Sequence, residues 1–209
     1  MMRPLILVSA LSLAACGPLV QIGSKDAPPP SLLRLSAAPA APQSASHGGI
    51  LRIVQPTVPA ELRTLRIPVE RDATQVQFLA QGQWVEPPAP QLQRSLLTRI
   101  AALTGRLTVD ERSADVATEQ RLSGRLTAFG LNASQGKPRA HLRFEALLTG
   151  TSITPEAHIF EIEIPVAQQS AVATASALNQ ASNQLADQLA AWLTARSGDG
   201  AEQASGENH

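Results

Sequence analysis

Ala140-His141-Leu142-Arg143-Phe144-Glu145-Ala146-Leu147-Leu148 alternates apolar and polar side chains, and this alternation decides the fold, because successive residues of a strand point to opposite faces. One face of the segment is greasy; the other carries His141, Arg143 and Glu145. It therefore belongs to a sheet with one buried and one wet face, the habit of antiparallel strands. Upstream, Leu122, Leu126 and Ala128 alternate with Ser123, Arg125 and Thr127, and the polar loop Asn132 to Pro138 joins the two runs as an antiparallel hairpin. Phe160, Ile162 and Ile164, alternating with Glu161 and Glu163, add a third strand.

On either side of these strands the period changes to that of a helix. Ala171, Ala175, Leu178, Ser182, Leu185, Leu189 and Trp192 recur at steps of four and three, which draws one apolar stripe along a helix. The stripe suits either a coiled-coil partner or the domain's own sheet, and its many alanines favour the sheet. Leu92, Leu96, Leu97, Ile100 and Leu103 line one face of a second helix that starts near Pro90 and stops at Gly105. Between the start of the chain and that helix, turn residues separate short β-rich runs: Leu32 to Leu35 as an edge strand, Ile50 to Val54, Arg66 to Val69, Val76 to Leu79, and Trp84-Val85. Leu107 to Val109 makes one more. The expected fold is an α/β single-domain sandwich, a mixed and mostly antiparallel sheet covered by two long amphipathic helices.

The beginning of the chain reads as an export signal. Arg3, the apolar stretch Pro4 to Leu13 and the small residues before Cys16 supply its charge, its core and its cut site. About a dozen residues precede the cysteine, whereas a spanning helix needs about 20. Leu13-Ala14-Ala15-Cys16 resembles the bacterial lipobox, whose cysteine is lipidated and becomes the first residue of the mature protein. Cys16 is the only cysteine, so an exported chain gains no internal disulfide from it, and a lipid acceptor explains it better. Gly17 in place of an aspartate is similar to cargo sorted to the outer membrane. The chain thus divides into a signal peptide (1–15), a lipidated cysteine with a flexible tether (16–30), a globular domain (31–196) and a polar tail expected to be disordered (197–209).

Seventeen basic and seventeen acidic residues cancel, without a basic run, and there is no Tyr beside four Phe and two Trp. These counts argue against a nucleic-acid partner. His47 lies in an Ala/Pro/Ser linker from Ala37 to Gly49, and His209 ends the chain; His141 and His158 sit on strands, where they read as ordinary polar positions rather than metal ligands. Asp110, Glu111 and Asp115 read as a solvated loop, since nothing near them in sequence would split their pKa values. Nucleophile-elbow, zincin and phosphate-loop motifs are absent from the sequence. Neither a catalytic residue nor a cofactor is expected, and the chain reads as a non-enzyme.

Taken in order, the lipobox, Leu33-Arg34-Leu35, the run Ile50-Leu51-Arg52-Ile53-Val54-Gln55-Pro56-Thr57-Val58-Pro59-Ala60-Glu61-Leu62, then Gln83-Trp84-Val85-Glu86-Pro87 and the helix from Leu92 resemble the ABC-type transport auxiliary lipoproteins, the family that includes PqiC. Ala175-Ser176-Ala177-Leu178 and Leu185-Ala186-Asp187-Gln188-Leu189 are similar to the family's ending. Leu32 and Leu33 stand where that family commonly carries aromatic residues. The resemblance implies a periplasm-facing, non-catalytic subunit beside a permease, an ATPase and an MCE-domain protein, in a system associated with lipid movement and membrane integrity. The competing reading is a lipid-binding or assembly lipoprotein of the outer membrane outside any MCE system. A homo-oligomer is a possible state of the chain. For a partner interface the candidates are Val58, Pro59 and Leu62, since an apolar loop fixed by prolines loses little entropy on docking. Trp84 is either a contact of the same kind or a plug in the core.

Overall fold

The computed structural model describes residues 29–41, 49–113, 115–134, 136–151 and 153–206, with side chains as far as Arg196. Cys16, the signal peptide and nearly all of the tether lie outside the described residues, as do His47 and His209. In chain order the elements are β1 (Ser31–Leu33), β2 (Leu51–Ile53), a 3-10 turn (Ala60–Leu62), β3 (Pro68–Glu70), β4 (Val76–Phe78), β5 (Gly82–Trp84), α1 (Pro88–Thr104), β6 (Thr108–Val109), β7 (Gln120–Asn132), β8 (Arg139–Gly150), β9 (Glu156–Pro165) and α2 (Ala171–Gly206).

The three long strands form the expected antiparallel ladder, with Leu122 opposite Leu148 and Phe144 opposite Phe160. Alternation puts Ala140, Leu142, Phe144, Ala146 and Leu148 into the core, each 2 % exposed or less. A bulge between Leu126 and Ala128 changes which side chains of β7 face inward, so that Phe129 and Leu131 replace the even-numbered residues in the core. The other edge of β7 is shared by short parallel partners. β2 pairs with its first residues (Ile53 with Leu122), Thr57 bridges Arg125, and β3 pairs with its last (Val69 with Leu131). Gly130 is required there, because a Cβ on it would lie 2.5 Å from the carbonyl oxygen of Pro68. β6 extends the sheet beyond β2 in parallel, and β4 folds back antiparallel on β3 across the expected turn. The sheet is therefore mixed, with its length in antiparallel pairs and its short additions mostly parallel.

β1 leaves this sheet and pairs in parallel with β5, Leu33 opposite Trp84, to make a separate two-stranded sheet. α1 begins two residues before the expected Pro90, with Pro88 and Pro90 in its first turn, where a missing N–H costs no intrahelical bond. It ends at Gly105, whose φ of 67° is left-handed and natural for glycine.

α2 buries more than a single stripe. Thr174, Ala177, Ala181, Ala186, Ala190 and Leu193 are buried along with Leu178, Leu185 and Leu189, because the helix lies against β8 and β9 on one side and against α1 on the other. Each fully buried leucine stabilises this arrangement by about 1.5–3 kcal/mol relative to exposure, and the alanines let the backbones approach closely. Its backbone remains helical through Gly206, across most of the segment expected to be a disordered tail. A helix already held by packing to Leu193 adds further turns at little cost, and Ala201, Glu202, Gln203 and Ala204 are good helix formers.

The expected linker after β1 is likewise pinned at its start. Ser36 N–H donates to Asn179 Oδ1 (2.8 Å) and Ala38 N–H to Asn183 Oδ1 (2.7 Å), while Arg99 donates to the Ala38 carbonyl and pairs with Asp187 at 2.6 Å. One arginine on α1 thereby holds an extended strap and α2 together, and its pairing with Asp187 raises its pKa further.

Candidate interaction surfaces

Of the four candidates for an interface, the structure buries two, and for Trp84 this is the alternative of a plug in the core. Trp84 is fully buried, its ring centroid 5.8 Å from that of Phe129. Leu62 is 2 % exposed. The reason is local geometry. Val54 N–H donates to the Leu122 carbonyl and Thr57 N–H to that of Gly124, so the segment after β2 runs on along β7, and the turn at Ala60–Leu62 then tucks Leu62 under the sheet. Trp84 lies on the inward-facing side of β5 with Gly82. Val58 and Pro59 remain half-buried, with Val58 packed against the core.

The side chains left outside are others. Leu32, Leu65 and Val85 are exposed around the small sheet, and Leu147 and Ile159 on the wet face of the large one. Leu147-Leu148 and Ile159-Phe160 held the signal that would have found the second pair, since two adjacent apolar residues in a strand cannot both face the core.

The rest of that wet face is an ion-pair ladder. Arg139 pairs with Glu163 (2.7 Å), His141 Nε2 with Glu161 (2.9 Å), Arg143 with the same carboxylate (2.8 Å), and Arg125 with Glu145 (3.8 Å). Opposite charges across neighbouring strands contribute roughly 0.2–1 kcal/mol each. His158 sits on the opposite face of the sheet, its ring 4.5 Å from Phe160 and 5.9 Å from Trp192, so the two strand histidines do not form one site. The acidic loop also closes on itself. Asp110 Oδ1 accepts from Arg112 N–H and Ser113 Oγ–H, Glu111 accepts from Gln93, and Arg52 donates to the carbonyls of Asp110, Ser113 and Val116. These groups hold a turn rather than share a proton.

The His141 hydrogen bond, with the Arg143 charge beside it, holds the Glu161 carboxyl below the ordinary glutamate range. A depressed pKa stabilises the fold above that range, about pH 4.3, and the contribution is lost as pH falls through it. The side chain is 49 % exposed, which limits the effect to no more than about 1 kcal/mol. Glu161→Gln is thus expected to melt slightly below the wild type at pH 7, with the gap closing near pH 3. A gap of equal size at both pH values would show that the charge does not matter.

Among the described residues, one surface groove of about 350 Å³ is lined by Leu103, Asp187, Ala190, Ala191, Thr194 and Ala195, and another of about 290 Å³ runs along Thr118–Arg121 and Thr149–Thr151. Both are open to solvent and mix polar with apolar walls. Among the described residues no three His, Cys, Asp or Glu side chains are placed to hold a metal, and no helix is long and apolar enough to cross a membrane.

Two helices packed on a mixed sheet place the domain in the α/β class. The sequence model of the ABC-type transport auxiliary lipoprotein component matches residues 32–190, so the chain belongs to that family. A crystal structure of a Xanthomonas campestris protein of the DUF330 family shares the fold, with a TM-score of 0.62 at 20 % identity, over 84 % of this chain and 96 % of that one. A second crystal structure, of an uncharacterized protein, superimposes with a TM-score of 0.65 at 17 % identity, over 79 % and 99 %. Among curated proteins, none matches the chain by sequence.

Proposed function

We propose that this chain is the non-catalytic, lipid-anchored subunit of an MCE-type ABC transport system, facing the periplasm from the outer membrane and supporting the movement of lipid across the envelope. The observation that carries the reading is the match to the transport auxiliary family from residue 32 to 190, which spans the folded domain from β1 into α2. The Leu13-Ala14-Ala15-Cys16 sequence supplies the anchor, and Gly17 the outer-membrane address. The polar groups support the non-catalytic part: Arg52, Arg99 and Gln93 donate to main-chain carbonyls distant in sequence, and Gln91 Oε1 accepts from Leu35 N–H.

Affinity purification of the full chain from detergent-solubilised envelopes is expected to recover an MCE-domain protein together with a permease and an ATPase. Recovery of the chain without any of these, under conditions that keep a known envelope complex whole, would overturn the proposal. A neighbouring set of genes for those three components would support it independently.

A further inference from the structure

β1 is where the chain from Cys16 joins the folded domain, and its surroundings differ from the rest of the surface. Its pairing partner is β5, through Val85 N–H to the Leu33 carbonyl (2.9 Å), and on the other side of β5 Trp84 N–H donates to the Leu65 carbonyl (2.7 Å). The bend at residues 63–66 therefore runs past the free side of β5 and brings Leu65 beside the small sheet. Leu35 and Trp84 are buried and Leu33 packs against the core, so the two-residue period turns Leu32, Arg34 and Val85 outward. Leu32 is 66 % exposed, Val85 40 % and Leu65 36 %. Three exposed arginines belong to these segments: Arg34 shares the outward side of β1 with Leu32, and Arg63 and Arg66 neighbour Leu65 along the chain, Arg63 donating to the Val58 carbonyl (3.4 Å) and Arg66 lying over the Phe78 ring (4.4 Å). The acids of these segments do not cancel this charge, because Glu61 stands alone among them and Glu86 is bound by Arg94.

We infer that this face, Leu32, Leu65 and Val85 within Arg34, Arg63 and Arg66, rests on an anionic lipid surface, so that the domain docks by its β1–β5 sheet instead of swinging on its tether. The inference rests on the lipid anchor at Cys16. About 15 residues separate Cys16 from Ser31, a reach of roughly 45 Å in extended polyproline geometry. They join the fold at this face, so the anchor keeps it at a high effective concentration over the membrane, where weak contacts suffice. Apolar side chains would enter the headgroup boundary while the arginines meet phosphate. The entry of the tether at this face and its excess of arginine over free acid are what favour an anionic lipid surface as the occupant.

The test uses the full lipidated chain in vesicles of phosphatidylethanolamine and phosphatidylglycerol. Leu32→Cys, Leu65→Cys and Ile159→Cys are each labelled with an environment-sensitive fluorophore, Ile159 lying on β9 at the far edge of the large sheet. Labels at 32 and 65 are expected to shift to the blue and to be quenched by spin-labelled lipid, while that at 159 stays as in water. Arg34→Gln with Arg63→Gln should weaken the contact about fivefold for each arginine removed, corresponding to ~1 kcal/mol per basic residue near an anionic leaflet. Equal quenching at 32, 65 and 159 in protein that floats with the vesicles would overturn the docking and leave the anchor standing. A blue shift without lipid quenching would also overturn it, by placing a protein on this face. Protein that does not float at all would overturn the anchor and the docking with it.

Discussion

Replacing Cys16 with Ser is expected to release the chain from the membrane while its domain stays folded. The described elements begin at β1, and the core residues from Leu35 onward pack on one another, so the domain is expected to fold without the lipid. Each buried methylene of an acyl chain is worth about 0.8 kcal/mol, and two or more chains make attachment lasting where one is marginal. No described helix crosses a membrane in its place, and the three arginines around β1 are too few to hold a free domain there on their own. The loss should therefore be nearly complete. Growth with a clickable fatty acid, followed by fractionation, measures it, and the melting temperature of the released species reports on the fold. Wild-type protein that takes up no label, or a Ser variant that takes up as much, would sink the lipoprotein reading.

The second large effect is expected at Trp84. Its indole is fully buried against Phe129, and removing it in Trp84→Ala leaves a cavity in the core, at a cost of about 3–5 kcal/mol. For a domain of this size that corresponds to a fall in melting temperature of roughly 10 °C, at about 2–4 °C per kcal/mol. Trp84→Phe should cost much less, because the indole Nε1 has no hydrogen-bond partner to lose and most of the ring volume is kept. Thermal melts of the two variants distinguish a core plug from a contact residue. If Trp84→Ala melted with the wild type yet no longer captured the transport partner, Trp84 would be an interface residue after all.

The half-buried Val58 and Pro59 keep their place as candidates for a protein partner, now without Leu62 and Trp84 beside them. Leu62 is a candidate because prolines fix the apolar loop it ends, and Trp84 because it precedes a proline-opened helix, where a contact and a core plug read alike. What the sequence could not show is that the backbone from Val54 to Thr57 is fastened to β7 at Leu122 and Gly124. Once that register is set, the chain's direction at Pro59 aims Leu62 into the core. The run at β1 reads as an edge strand, but which of its leucines faces outward depends on the pairing with β5, which the sequence does not show.

By itself the sequence determined the elements with a long period: the β7–β8 hairpin, β9, both helices, and the αL stop at Gly105. Periodicity and capping act within a few residues, so a strand or helix can be read from its own side chains. It also carried the family resemblance, which is a matter of order along the chain. Tertiary structure alone decided which strands lie next to β7, the separate β1–β5 sheet, and the capture of Ser36 and Ala38 by Asn179 and Asn183, partners 143 and 145 residues apart. Those pairings are chosen by the whole domain as it buries apolar surface and satisfies every backbone N–H. A parallel strand three residues long has too few side chains to specify its neighbour, and an asparagine on a helix gives no sign of which distant amide it will accept from.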